Sequence, residues 1–161
     1  MAERAGREPT SSRLVGRALH LYWRFARGLT IGVRAAVLDD AGRVFLIRHT
    51  YVPGWHLPGG GVETGETALA ALRRELAEEA RIEVAAEPPL YGVYFNARAS
   101  RRDHVLFYVV QGFRVIETKT PDREIAEAGF FQISHLPEGA TPATRRRLDE
   151  IASGAAPSAT W

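Results

Sequence analysis

The chain has 161 residues, 45% of them hydrophobic and 25% charged, a composition that excludes disorder as the default state. At this length roughly 70% of the unfolded surface can be buried, enough for one core. Cysteine is absent, excluding a disulfide framework, a thiol nucleophile and a cysteine zinc site, and no apolar run approaches the ~18 residues of a membrane span. A cytoplasmic location is the simplest expectation. The net charge of +2 is unevenly placed: residues 1–34 hold seven arginines against Glu3 and Glu8, a balance of +5, leaving −3 for the remainder. Twenty of the 21 basic residues are arginine, and Lys119 is the exception.

Residues 1–10 read as an unstructured leader. From Ser11 to about Gly28, Arg13, Arg17, His20, Arg24 and Arg27 recur at spacings of four and three. Leu14, Ala18, Leu21, Tyr22, Phe25 and Leu29 take the opposite side, the pattern of a basic amphipathic helix. Residues 1–29 thus form a leader and helix that packs on the domain, reaches a second copy in a homodimer, or meets an anionic surface. The apolar piece Ala18–Trp23 is too short for a signal-peptide core.

The domain proper is expected over residues 30–152. Ile31–Leu38 and Arg43–His49 are β-rich runs flanking the turn Asp39-Asp40-Ala41-Gly42. A Gly- and Pro-dense segment, residues 53–61, leads into a helix from Glu66 to about Ala80. Three strands are expected at Ile82–Ala86, Leu90–Asn96 and His104–Phe113, and a short last one at Gly129–Ile133. Ser134-His135-Leu136-Pro137 suits a short helix. Thr141–Ala152 is a closing helix, with Thr141 as N-cap and Pro142 at its first position. Residues 153–161 read as a flexible tail. Several strands around a central helix, with another helix at the end, make an α+β layered domain.

The chemistry concentrates in residues 59–84. Glu75, Glu78 and Glu79 stand at i, i+3 and i+4 and share one sector of the helix. Leu69, Leu72 and Leu76 form the core-facing stripe, and Glu79 lies only about 60° from its centre, so the carboxylates border the buried face. Such charges repel and lose hydration, which a hard cation such as Mg²⁺ or Mn²⁺ would compensate. Three helical glutamates by themselves also suit a solvated face, with Arg74 pairing to Glu78. The preceding Gly59-Gly60-Gly61 lets backbone approach an ion or phosphate closely.

Gly60, Glu66, Arg74-Glu75-Leu76, Glu78-Glu79 and Ile82 fall at the spacings G-x5-E-x7-R-E-U-x-E-E-x-G-U, U being aliphatic, and match eight of its nine specified positions. Together with Trp55-x-Leu57-Pro58-Gly59-Gly60, this stretch resembles the box of the Nudix hydrolases. The departure is Arg81, where the pattern has a glycine suited to a left-handed turn. The resemblance implies an α/β/α sandwich with a mixed sheet and Mg²⁺-dependent hydrolysis of a nucleoside diphosphate linked to another group. It assigns metal binding to Glu75, Glu78, Glu79 and the Gly60 carbonyl, and an orienting pair to Glu66 and Arg74. The catalytic base is either a box glutamate, Glu78 foremost, or a member of the late acidic segment. There Glu124, before Glu127, is the candidate for base or further metal ligand, and two loop carboxylates in water are the alternative. Arg48, Arg101 and Arg102 are candidates for phosphate, Tyr51 and Phe95 for a base, and Asn96 is no better supported. No histidine is assigned a role. The expected partner is a nucleotide-type small molecule. Nucleic acid is not favoured, although an RNA 5′ end guided by the basic helix is one alternative, and a non-catalytic nucleotide-binding module is another.

Overall fold

The computed structural model describes residues 28–161; the expected leader and basic helix lie outside the described residues. Strand β1 (Thr30–Val37) and β2 (Arg43–His49) flank the Asp39–Gly42 turn, where the Asp39 carboxylate accepts the amides of Ala41 and Arg43. A two-residue strand, β3 (Trp55–His56), precedes the glycine loop and helix α1 (Ala68–Ala80). Then come β4 (Ile82–Val84), β5 (Leu90–Phe95), β6 (Asp103–Val110), β7 (Phe113–Val115) and β8 (Ile125–Gln132). A 3-10 turn at Ile133–His135 leads to the closing helix α2 (Pro142–Ser153), capped by Thr141 as expected.

The strands form three groups. β6 lies between a parallel β1 and an antiparallel β5; β2 lies between antiparallel β3 and β8; β4 and β7 pair antiparallel. Strand alternation then splits the core in two. Val33, Ala35, Val37, Phe45 and Ile47 pack with Leu72, Leu76 and Ala80 of α1. Ala36, Val44 and Leu46 turn the other way and pack with Tyr94, Phe107, Trp55, Leu57 and Leu148 of α2. Each fully buried leucine of these stripes contributes about 1.5–3 kcal/mol. The α+β class with a mixed sheet is therefore observed.

Three expectations need correction. The last strand begins at Ile125 instead of Gly129, because β8 pairs along the whole of β2, from Arg43↔Gln132 to His49↔Ile125. The His104–Phe113 run is two strands: the Gly112 carbonyl accepts the amides of Ala85 and Ala86, which turns the chain so that β7 can pair with β4. Residues 158–161 are docked, not loose. Phe95 and Ala159–Trp161 exchange backbone hydrogen bonds, and the Trp161 ring stands 5.6 and 5.7 Å from those of Tyr94 and Phe107. Arg147 holds the segment, donating to the Thr160 carbonyl and the Ser158 hydroxyl from a side chain only 1% exposed.

Candidate active site

The glycine loop runs beside β1, tied to it by Ala35 N–H to Pro58 O, Val33 N–H to Gly60 O and Val62 N–H to Ile31 O. Contact this close requires glycine. At Gly59, with φ of 135°, a Cβ would lie 2.1 Å from the Val33 carbonyl oxygen. At Gly60 a Cβ would lie 2.3 Å from Glu75 Oε1, so the Glu75 carboxylate rests directly on the loop backbone. Arg74 joins loop to helix: Nε and Nη2 bond the two oxygens of Glu66 at 3.1 and 3.0 Å, and Nη2 also donates to Gly61 O. Glu66 in turn accepts the Glu63 amide. Its carboxyl is held below its usual range, chiefly by Arg74.

The three box carboxylates differ sharply in setting. Glu79 is buried in the contact between α1 and the loop, and its Oε2 accepts the Gly59 amide at 2.7 Å. Burial pushes its pKa up to about 7; the Gly59 amide and Arg34 oppose the rise, while Glu75 and Glu124 add to it. Glu75 accepts Arg74 Nη1 at 2.7 Å, and Glu78, largely exposed, has an oxygen 3.7 Å from the same nitrogen. Because Arg74 draws these two, no three acidic or histidine groups among the described residues close around one point as they stand. The donor set nonetheless fits a hard divalent cation: every candidate donor atom is oxygen, and Glu79 is buried with Glu75 and Glu124 adding negative charge against the Gly59 amide and Arg34. The Gly60 carbonyl, though bonded to Val33 N–H, keeps a second lone pair.

Glu124 precedes β8 and lines a cavity of about 430 Å³ with Glu78, Glu79, Lys119 and Asp122. Glu127 is not a loop carboxylate: it lies within β8, opposite Arg48 of β2, and forms an ion pair with it. Arg48, a candidate for phosphate, does not line that cavity. Asn96 is committed to a turn, donating to Asp103. Neither it nor Phe95, Arg101, Arg102 or Tyr51 lines the cavity of Glu78, Glu79 and Glu124. A neighbouring groove of about 460 Å³, bounded by Arg73, Arg81 and Ile116, contains none of the box carboxylates.

Two residues join the site without having been singled out. Arg34 projects from β1 and donates to the carbonyls of Leu57 and Gly59. His49, at the end of β2, places Nε2 3.8 Å from Glu79 Oε1. Burial, then Arg34 and His56, hold its pKa below the usual value. A charged residue inside the apolar run Ile31–Leu38 was the available signal for Arg34; His49 had none.

The geometry agrees with what comparison shows. The NUDIX domain matches residues 28–151, and the chain belongs to that family, the hydrolases that act on phosphoanhydride bonds. A putative 8-oxo-dGTP diphosphatase of Bacillus subtilis (strain 168) is 29% identical over 126 residues, 78% of this chain and 82% of that protein. An RNA pyrophosphohydrolase of Dinoroseobacter shibae is 42% identical over 64 residues, which span only 40% of its length. Among solved structures, the MutT NUDIX hydrolase of Burkholderia pseudomallei superposes with a TM-score of 0.62 at 30% identity, covering 76% of this chain and 97% of that one.

Proposed function

We propose that the chain is a Mg²⁺-dependent pyrophosphohydrolase of small nucleotides, cleaving a nucleoside diphosphate from, or within, a larger phosphoanhydride by attack of water on phosphorus. The observation that carries this reading is Glu79, a carboxylate buried against the glycine loop with Glu75 and Glu124 nearby, whose pKa burial pushes up to about 7. Glu75, Glu78, Glu79 and the Gly60 carbonyl would hold the cation, with Mn²⁺ able to replace Mg²⁺. Such a cation, when bound, neutralises pyrophosphate, polarises the scissile P–O bond and lowers the pKa of the attacking water.

The remaining work belongs to the chain. Glu66 and Arg74 keep the glycine loop against α1, so the carbonyl and carboxylate oxygens stay in register. Arg34, facing Glu79, supplies positive charge beside the phosphate-binding loop. Glu124 accepts the proton of the attacking water from the opposite wall of the cavity. Little covalent chemistry is asked of the protein, so positioning and charge dominate.

The Bacillus relative, matched over most of its length, makes nucleoside triphosphates the first substrates to try. The test is a Mg²⁺-supplemented screen of deoxynucleoside and nucleoside triphosphates, ADP-ribose, dinucleotide polyphosphates, nucleotide sugars and 5′-triphosphorylated RNA in ¹⁸O-water. A small-nucleotide hydrolase releases ¹⁸O-labelled phosphate product from one of the first four groups, with weak dependence on salt. Turnover confined to RNA and falling steeply with salt would instead identify an RNA 5′-end enzyme. No release from any compound, with Mg²⁺ or Mn²⁺, would leave a nucleotide-binding module and refute the proposal.

A further inference from the structure

In a chain with 20 arginines, the single lysine stands in the segment between β7 and β8. The Lys119 side chain is only 3% exposed although its loop lies at the surface. Burying an ammonium is costly unless it is paired and hydrogen-bonded, and Lys119 has both. Its Nζ donates at 2.8 Å to the carbonyl oxygen of Glu78, in the last turn of α1, where carbonyls lack partners within the helix. The same nitrogen donates to Asp122 Oδ2. The other oxygen of Asp122 accepts the amides of Glu124 and Ile125 at 2.9 and 2.8 Å. An unbroken path therefore runs from the backbone of the box helix, through Lys119 and Asp122, to the backbone of Glu124.

Thr50 secures the far side. Its amide donates to Glu124 O at 2.9 Å and its hydroxyl to Arg123 O at 2.8 Å. The backbone of Glu124 is thus held from two sides, by Thr50 just after β2 and, through Asp122 and Lys119, by α1. An ammonium suits this junction: it is compact and rotatable, able to serve a carbonyl and a carboxylate in different directions, which the planar fork of arginine does less well.

We propose that Lys119 and Asp122 are positioning residues that clamp the β7–β8 segment to the box helix and so hold Glu124 over the carboxylate face. The proposal rests on the role given above to Glu124, and the experiment separates the two. Lys119→Met, Asp122→Asn and Glu124→Gln, singly and in pairs, are assayed with dGTP and Mg²⁺, and amide hydrogen exchange is measured on the same proteins without nucleotide. Glu124→Gln alone tests the role of Glu124; kcat within a few-fold of wild type would refute that role and with it the purpose of the clamp. With Glu124 intact, Lys119→Met should lower kcat about 10- to 100-fold, the scale of a misplacement near 1 Å, and change KM less than about two-fold. In the Glu124→Gln background the same change should cost less than about three-fold, because there is nothing left to position. Exchange at the amides of Glu124 and Ile125 should rise in Lys119→Met while α1 stays protected. Multiplicative losses, a change confined to KM, or unaltered exchange would each overturn the clamp. Should Lys119→Met fail to fold, Asp122→Asn decides by the same criteria, since that side chain is 45% exposed and tolerates replacement.

Discussion

Glu79 is the residue at which burial and charge pull in opposite directions. Without metal its carboxyl titrates near pH 7, against an ordinary value of 4.5. Between those values the native state holds a proton that the unfolded chain has released. Stability therefore falls as pH rises from about 4.5 to 7 and levels off above, by about 3 kcal/mol in all. Urea unfolding in EDTA at pH 5 and pH 8 should show this loss, and Glu79→Gln should remove most of it. Equal pH dependence in the two proteins would mean that Glu79 ionises normally. The same substitution should cut turnover at least about 100-fold with unchanged circular dichroism, since it takes a charge from the proposed ligand set; activity within a few-fold of wild type would exclude Glu79 as a ligand. Arg81 poses a milder conflict. It adopts the left-handed turn that glycine would favour, with φ of 55°, and forms an ion pair with Glu117 at 3.0 Å. Left-handed backbone costs about 1 kcal/mol for such a residue, and an exposed pair returns less. Arg81→Gly should thus raise the unfolding free energy by about 0.5 kcal/mol; a decrease would show that the ion pair dominates.

At the scale of elements, the site depends on how one helix is fastened to one loop. Most of α1 was legible from the sequence: its leucine stripe, its carboxylates at i, i+3 and i+4, and its end near Ala80 are local properties of a 3.6-residue period. The bracket of Glu66, Arg74 and Gly61 was legible only through resemblance, because an eight-residue separation on chain that is partly loop has no fixed direction. Glu66→Gln keeps the shape but loses charge opposite Arg74. It should lower Mn²⁺ affinity or kcat about 10- to 100-fold, as substitutions behind metal ligands do. A metal titration followed by steady-state kinetics reads both; an effect below about two-fold would make the pair merely structural. The closing helix offers a control remote from the carboxylates. Thr141 accepts the Thr144 amide as N-cap, so Thr141→Ala should cost about 1 kcal/mol in unfolding free energy.

At the scale of the molecule, the C-terminal segment works as part of the second core. Arg147 has its guanidinium 4.1 Å from the Tyr94 ring centre and 5.4 Å from that of Trp161, and its Nη2 bonds Glu150 at 2.7 Å. Removing residues 158–161 would strip this buried cation of the Thr160 and Ser158 oxygens and uncover Tyr94 and Phe107. A loss of about 3 kcal/mol is expected, with a fall in Tm of about 6–12 °C. Differential scanning calorimetry checks this, and an unchanged Tm would return the segment to the status of a loose tail. Polar spacing and an alanine-rich composition gave no hint of the docking, because what anchors it is a pocket assembled from β5, β6 and α2.

What the sequence alone determined is whatever lies close along the chain: the strand alternation, the turn at Asp39–Gly42, the glycine loop and the acidic face of its helix. Periodicity and backbone sterics act over a few residues, so they can be read without a fold. What only the tertiary structure decided is which distant groups meet around the box helix and its loop. Arg34 of β1 reaches the Gly59 carbonyl, and His49 at the end of β2 reaches Glu79. Lys119 and Asp122 on the approach to β8 line the cavity with Glu124, while Glu127 lies outside it, paired with Arg48. Their meeting follows from strand order and register, and register depends on which faces the two cores can bury, a property of the packed whole.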